Sequence, residues 1–429
     1  MTTMLNRSLA PHIKDAVEYS ISLKNPAVFK LDNGVDVYSV QAGTEEVVQI
    51  EWVFKAGNWF EEKKLVASAA NFLMKNGTTS KSAYEINEFV DFYGAYLNRS
   101  CYNETAVVSL HCLSKQLEHI LPLVQEIFID AILPEEELLI YKQNMKQRLA
   151  VNLKKCDFIA GRKIDALLFG DRHPYGVYSE MVDYDALQRE ELLAYYNAFY
   201  KNGHCTIFSA GILPSNFQEL LNKYFGQLPF NKTEVKAPTH AILPASQKKW
   251  NILNDAEGVQ GAIRIARACP LPTDPVFPKL QVLNVLFGGF FGSRLMTNIR
   301  EDKGYTYGIY SYLMNHIHAS AILISTEAGR DVCEATVKEV YHEMDQLRMH
   351  EVGKEELLLV KNYLIGTLFG DLDGPFHIIG RWKNLILHGM NASHFNYYVD
   401  VIKSIQPHEL KQLAEQYLIP EDFYELIVV

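Results

Sequence analysis

The feature that most constrains this 429-residue chain is that it repeats itself. Residues 136–170 align without a gap on residues 355–389 at a constant offset of 219. Glu136-Glu137-Leu138-Leu139 faces Glu355-Glu356-Leu357-Leu358, and Lys142, Leu149 and Leu153 face Lys361, Leu368 and Leu372. Ile159, Gly161, Arg162, Leu168 and Gly170 then face Ile378, Gly380, Arg381, Leu387 and Gly389. The 12 identities in 35 positions compare with roughly two for unrelated sequence, so the chain is a tandem duplication. At an offset of 218, Glu191-Leu192 faces Glu409-Leu410, ahead of the aromatic Phe199 and Tyr417.

Each copy mixes strands with helices. Val47 to Phe54 and Gly261 to Ala268 alternate or run apolar as strands do. Glu136 to Leu153 and Glu355 to Leu368 carry helical spacing after Pro134 and Gly353. The order of strands, helices, strands and further helices predicts an α+β fold, each copy a mostly antiparallel sheet with helices packed on one face. Pro229, Pro238 and Pro244 punctuate a polar stretch over residues 229–245, read as the linker between an N-terminal domain, 1–235, and a C-terminal domain, 236–429.

Composition narrows the partners. A formal charge of −10, without a basic run to offset it, gives no footprint for nucleic acid or an anionic membrane. No run of eighteen apolar residues and no signal-like start over Met1 to Leu23 are present, which reads as a cytoplasmic chain. The six cysteines, Cys101, Cys112, Cys156, Cys205, Cys269 and Cys333, are dispersed without a CxxC, as expected of reduced thiols.

Several segments in order carry a resemblance to a known family. They are Leu31-Asp32-Asn33-Gly34-Val35, the strand ending in Ala56-Gly57, and Leu65 to Lys75 followed by Asn76-Gly77-Thr78. Phe169-Gly170-Asp171-Arg172-His173-Pro174-Tyr175-Gly176 follows, then Phe287 to Leu295 and Asn298 to Tyr307. Together with the duplication they resemble the pitrilysin/insulinase family of zinc metallopeptidases, of the processing-peptidase type with two similar domains per chain.

The departure from that family's pattern bears on function. Active members carry an inverted H-x-x-E-H helix, two His at i and i+4 binding zinc and the Glu acting as general base. Here the matching positions read Asn71-Phe72-Leu73-Met74-Lys75. An ammonium repels a dication, and a thioether accepts no proton. The family's distal Glu falls by counting near Val151 or Asn152, neither of which is a carboxylate. The resemblance therefore implies no metal in this chain. His316-x-His318 would place two imidazoles on one face of a strand, but two polar residues near a turn suffice to explain them. His111 and Cys112, being adjacent, face opposite ways on a strand, and His173 fits a structural role in its turn.

The second copy keeps the family's other residue types. Gly288, Gly289 and Gly292 resemble the glycine-rich loop that lies in the non-catalytic subunit of processing-type heterodimers, here assigned to substrate binding. Arg300 and Tyr307 match the family's Arg and Tyr, which contact the substrate carbonyl at the zinc site of the opposing domain. Arg294, six residues before Arg300, is expected to be structural. The resemblance thus implies the metal-free subunit of a heterodimeric zinc peptidase, active on extended peptides only with a zinc-bearing paralogous partner. The alternatives are a structural subunit and a peptide-binding homodimer without hydrolysis.

Overall fold

The computed structural model describes residues 14–15, 18–231 and 237–429, so residues 232–236 of the expected linker and 1–13 of the amino terminus lie outside the described residues. Among the described residues, eleven strands form two sheets. The first comprises β1 (Ala27–Lys30), β2 (Asp36–Gln41), β3 (Val47–Phe54), β4 (Tyr96–Cys101), β5 (Ala106–Leu113) and β6 (Cys205–Gly211). The second comprises β7 (Lys249–Ile252), β8 (Gln260–Cys269), β9 (Thr306–Asn315), β10 (Ser320–Gly329) and β11 (Tyr424–Val428). Their orders are β1-β2-β6-β3-β5-β4 and β7-β11-β8-β10-β9. Each sheet contains one parallel pair, β2 with β6 and β11 with β7, and is otherwise antiparallel. Leaving β1 aside, the two follow one topology, as a duplicated chain should.

The apolar alternation decides what each face meets. In β3, Val48, Ile50, Trp52 and Phe54 point into a core built with the first copy's own helices, among them Leu117, Ile120 and Val124. Val53 points the other way, with Val40, Val107, Phe208 and Ala210, into a core that contains Ile379, Trp382 and Leu385 of the second copy. These last residues lie on the helix Pro375–Leu387. Its repeat equivalent, Cys156–Phe169, does the reverse, packing Ala160, Ile164, Leu167 and Leu168 against Ala262, Ala266, Leu323 and Leu426 of the second sheet. Each copy therefore keeps helices on one face of its sheet and receives the other copy's helix on the second face.

Polar contacts lock the second copy's helix onto the first sheet. Lys383 meets Glu51 of β3 at 2.6 Å, and Trp382 Nε1 donates to Lys24 O at 2.8 Å. Asp165 of the first helix is half-buried near Arg264 of β8, with its Oδ1 atom buried and unpartnered among the described residues. Burial raises its carboxyl to about 7, Arg264 only partly opposing. A folded-state value above the ordinary one favours the neutral acid, so the stability it contributes is complete below pH 4 and lost as pH rises through 7. The second copy carries Asn384 at the equivalent position. Asp165→Asn is therefore expected to raise Tm at pH 8 and leave it unchanged near pH 4. Equal melting shifts at both values would exclude the buried charge as the cause.

Candidate functional site: a closed metal locus and an Arg–Tyr pair

The helix Val66–Leu73 carries the degenerate metal positions at its end. Asn71 and Met74 are buried in the first core. Lys75 Nζ donates to Leu97 O on the edge strand β4 at 3.1 Å. Arg99 stands beside it, donating from Nε to Phe72 O at 2.5 Å and from a terminal nitrogen to Asn76 Oδ1 at 3.0 Å, with its guanidinium 4.4 Å from the Phe72 ring centre. Burial, and then the Arg99 charge, lower the Lys75 pKa. A cation pair and two buried uncharged side chains do not fit a zinc ion. Among the described residues no group of three or more His, Cys, Asp or Glu could hold a metal ion.

The distal position needs correction. Val151 is exposed in the last turn of the helix Glu135–Asn152. That helix meets Val66–Leu73 earlier, where Tyr141 packs on Phe72 at 5.0 Å and Glu137 accepts from Asn76 Nδ2 at 2.7 Å. Ten residues of helix separate Tyr141 from Val151, about 15 Å along the axis. Counting along the sequence thus overshoots the contact, and the nearby carboxylate, Glu137, is engaged by Asn76. Metal analysis of the purified chain is expected to find no stoichiometric zinc; one tightly held zinc lost on mutating Lys75 would contradict this reading of the locus.

In the second copy the structure brings Arg300 and Tyr307 together. Arg300 lies in the π-helical segment Met296–Asp302, and Tyr307 at the start of β9. Thr306 pairs with Ala328 but Ile309 with Thr326, so three steps on β9 oppose two on β10. This bulge is held by Thr326 Oγ1 donating to Gly308 O at 2.9 Å, and it turns Tyr307 outward to 92% exposure. The Arg300 guanidinium lies 5.6 Å from the Tyr307 ring centre and 4.5 Å from that of Phe291. Phe291 is itself exposed, and sequence reasoning gave it no role. Its only signal was a pair of adjacent phenylalanines, Phe290-Phe291, in a glycine-rich turn. No hydrogen bond or ion pair to Arg300 is present among the described residues, so its N–H groups remain free for an acceptor from outside.

The glycines divide. A Cβ on Gly288 would come within 2.8 Å of the Ser311 backbone nitrogen, so this glycine serves the approach of β9. Gly289 would meet Val285 at 3.0 Å, whereas Gly292 is exposed beside Phe290. Arg294 is structural, binding Glu356 through two bonds of 2.8 and 2.9 Å. His316 and His318 do not lie on a strand. β9 ends at Asn315, and both histidines occupy the turn before β10. Cys112 points into the first core while His111 faces Phe376, and all six cysteines are unpaired.

Residues 186–364 match the family described as the peptidase M16 inactive domain. Over 408 residues the chain is 22% identical to an uncharacterized zinc protease, YmxG, of Bacillus subtilis (strain 168), covering 92% of this chain and 96% of that one. It is 25% identical over 245 residues to the probable inactive metalloprotease YmfF of the same organism, covering 55% of each. The crystal structure described as a peptidase M16 inactive domain from Pseudomonas fluorescens superposes with a TM-score of 0.83 at 21% identity, covering 94% of this chain and 98% of that one. The family match thus lies in residues 186–364, and the whole chain shares the fold of the Pseudomonas fluorescens protein, with Asn71, Met74 and Lys75 where a zinc-binding motif would stand. No helix among the described residues is long and apolar enough to cross a membrane.

Proposed function

We propose that this chain is the metal-free subunit of a heterodimeric cytoplasmic zinc peptidase, closing the chamber around an extended peptide and presenting Arg300 and Tyr307 to a zinc-bearing paralogue. The observation that carries this reading is the pairing of half-buried Arg300 with exposed Tyr307, held by a bulge and by the Phe291 ring beside the guanidinium, with no acceptor of its own. The first copy supports the same division. Its metal positions are spent on packing, and Lys75 occupies a carbonyl of the edge strand β4, where an added peptide strand would bind. Zinc in the partner would supply the activated water. The guanidinium and phenol would donate to the carbonyl oxygen as negative charge develops there. Gly292, exposed near Phe291, would leave room for the peptide backbone, while Gly288 and Gly289 shape the turn.

The test combines the purified chain with a paralogue from the same genome that retains H-x-x-E-H, using an internally quenched peptide. Activity in the mixture that neither chain has alone is expected. A stable complex with no gain in hydrolysis would refute the catalytic-partner reading and favour a structural role.

A further inference from the structure

The turn between β9 and β10 belongs to the second copy but is seated in the first. His316 stacks on Tyr175 with ring centres 4.1 Å apart, and His318 stacks on Trp59 at 4.2 Å. His173 packs against Tyr175 at 4.8 Å, and His240 of the connecting segment packs on Trp59 at 4.6 Å. Backbone donors complete the seat. Ile317 N donates to Glu104 Oε1 at 3.1 Å and His318 N to Tyr175 Oη at 3.1 Å, while Tyr175 Oη donates to Glu104. Asn103, Glu104 and His316 also border a cleft of about 650 Å³, lined mainly by the first copy, Glu61 and Ser68 included, and at its rim by Asn315 and His316 of the second.

Two of these imidazoles are held in a form that cannot take a proton without breaking a bond. Asn103 Nδ2 donates to His316 Nδ1 at 3.2 Å, and Tyr175 N donates to His173 Nδ1 at 3.1 Å. Protonation at either Nδ1 turns an acceptor into a donor facing a donor. Of the surrounding groups, Glu104 favours the charged rings of His316 and His318, while burial and the neighbouring imidazoles act against it. Glu104 is the carboxylate at the seat, whereas the other titrating groups are His173 and Tyr175 from the first copy, His240 from the connection, and His316, His318 and His388 from the second. We propose that this turn is an acid-released latch between the two copies, closed at neutral pH and freed by imidazole protonation, so that the cleft it borders opens.

The direction agrees with the environment of each ring. Burial first, then the charges of His240, His316 and His318, lower His173 to about 4. Burial likewise lowers His316 and His318, Glu104 opposing in both cases. Docked values below the ordinary histidine value mean that the latch is undiminished above pH 6.5 and weakens as pH falls below it.

Hydrogen exchange on the full chain at pH 7.5 and 5.0, corrected for the intrinsic pH dependence, tests this. The amides of Ile317 and His318 are expected to exchange at least about tenfold faster at pH 5.0, while those of β3 keep their protection. The variant with His173→Phe, His316→Phe and His318→Phe retains packing rings that cannot titrate, and should stay protected at pH 5.0. Unchanged wild-type protection at the turn, or equal loss from β3, would overturn the latch. So would release of the triple variant at pH 5.0. Should that variant misfold, an NMR titration of the unaltered chain decides: the His316 ring must titrate in step with loss of turn protection, and independence of the two refutes the proposal.

Discussion

In a reconstituted pair with the zinc-bearing paralogue, Tyr307→Phe or Arg300→Ala is expected to lower kcat by about 10²–10³ while KM changes little. Both side chains are donors fixed in advance, and the acceptor they would meet gains charge only as the reaction proceeds. Arg300 is held between the Phe291 and Tyr307 rings without an internal counter-charge, so its loss should leave the fold intact. Arg300→Lys would retain the charge but lose the planar stack, and should recover only part of the rate. Arg294→Ala provides the contrast. It breaks a two-bond ion pair with Glu356 and should lower stability without selectively lowering kcat. A mixture that turns over peptide equally well with Tyr307→Phe and Arg300→Ala would remove the pair from the mechanism.

The second large effect concerns the exchanged helices. Trp382→Ala is expected to destabilise the chain by about 3–5 kcal/mol, the usual cost of emptying a buried aromatic site. The indole is largely buried, and its Nε1 donates to Lys24 O, a residue of the first copy. Its helix covers Val53, Val107 and Phe208 of the first sheet. Hydrogen exchange should therefore rise in β2 and β6, although the substitution lies in the second half of the chain. Damage confined to the second sheet would mean that the two halves are stabilised separately.

The repeat made the fold legible, because a duplicated strand-and-helix order leaves little choice beyond two similar sheets with helices on them. The destination of each repeated helix was not legible. Ala160, Ile164, Leu167 and Leu168 form a stripe that marks a buried face, but a stripe of small and branched side chains fits the far sheet as well as the near one. Arg300 and Tyr307 could be found from their spacing. Phe291 could not, since its role depends on how the turn before Arg294 folds back over the helix end. The His316 and His318 turn was misplaced onto a strand because apolar alternation in β9 runs up to Asn315 without an obvious stop. Counting to Val151 failed because a residue count cannot register which turn of a helix crosses its neighbour.

The exchanged helices give the molecule the topology of a twofold dimer whose subunits swap one segment, made permanent by a covalent connection. Each half then serves as scaffold for the other, independently of any chemistry it once shared with it. Under that arrangement the first half can lose every metal-binding side chain and still be retained, because the half that bears Arg300 cannot cover its own second sheet face without it. Loss of catalytic residues and persistence of the fold are then governed by different selective forces within one chain.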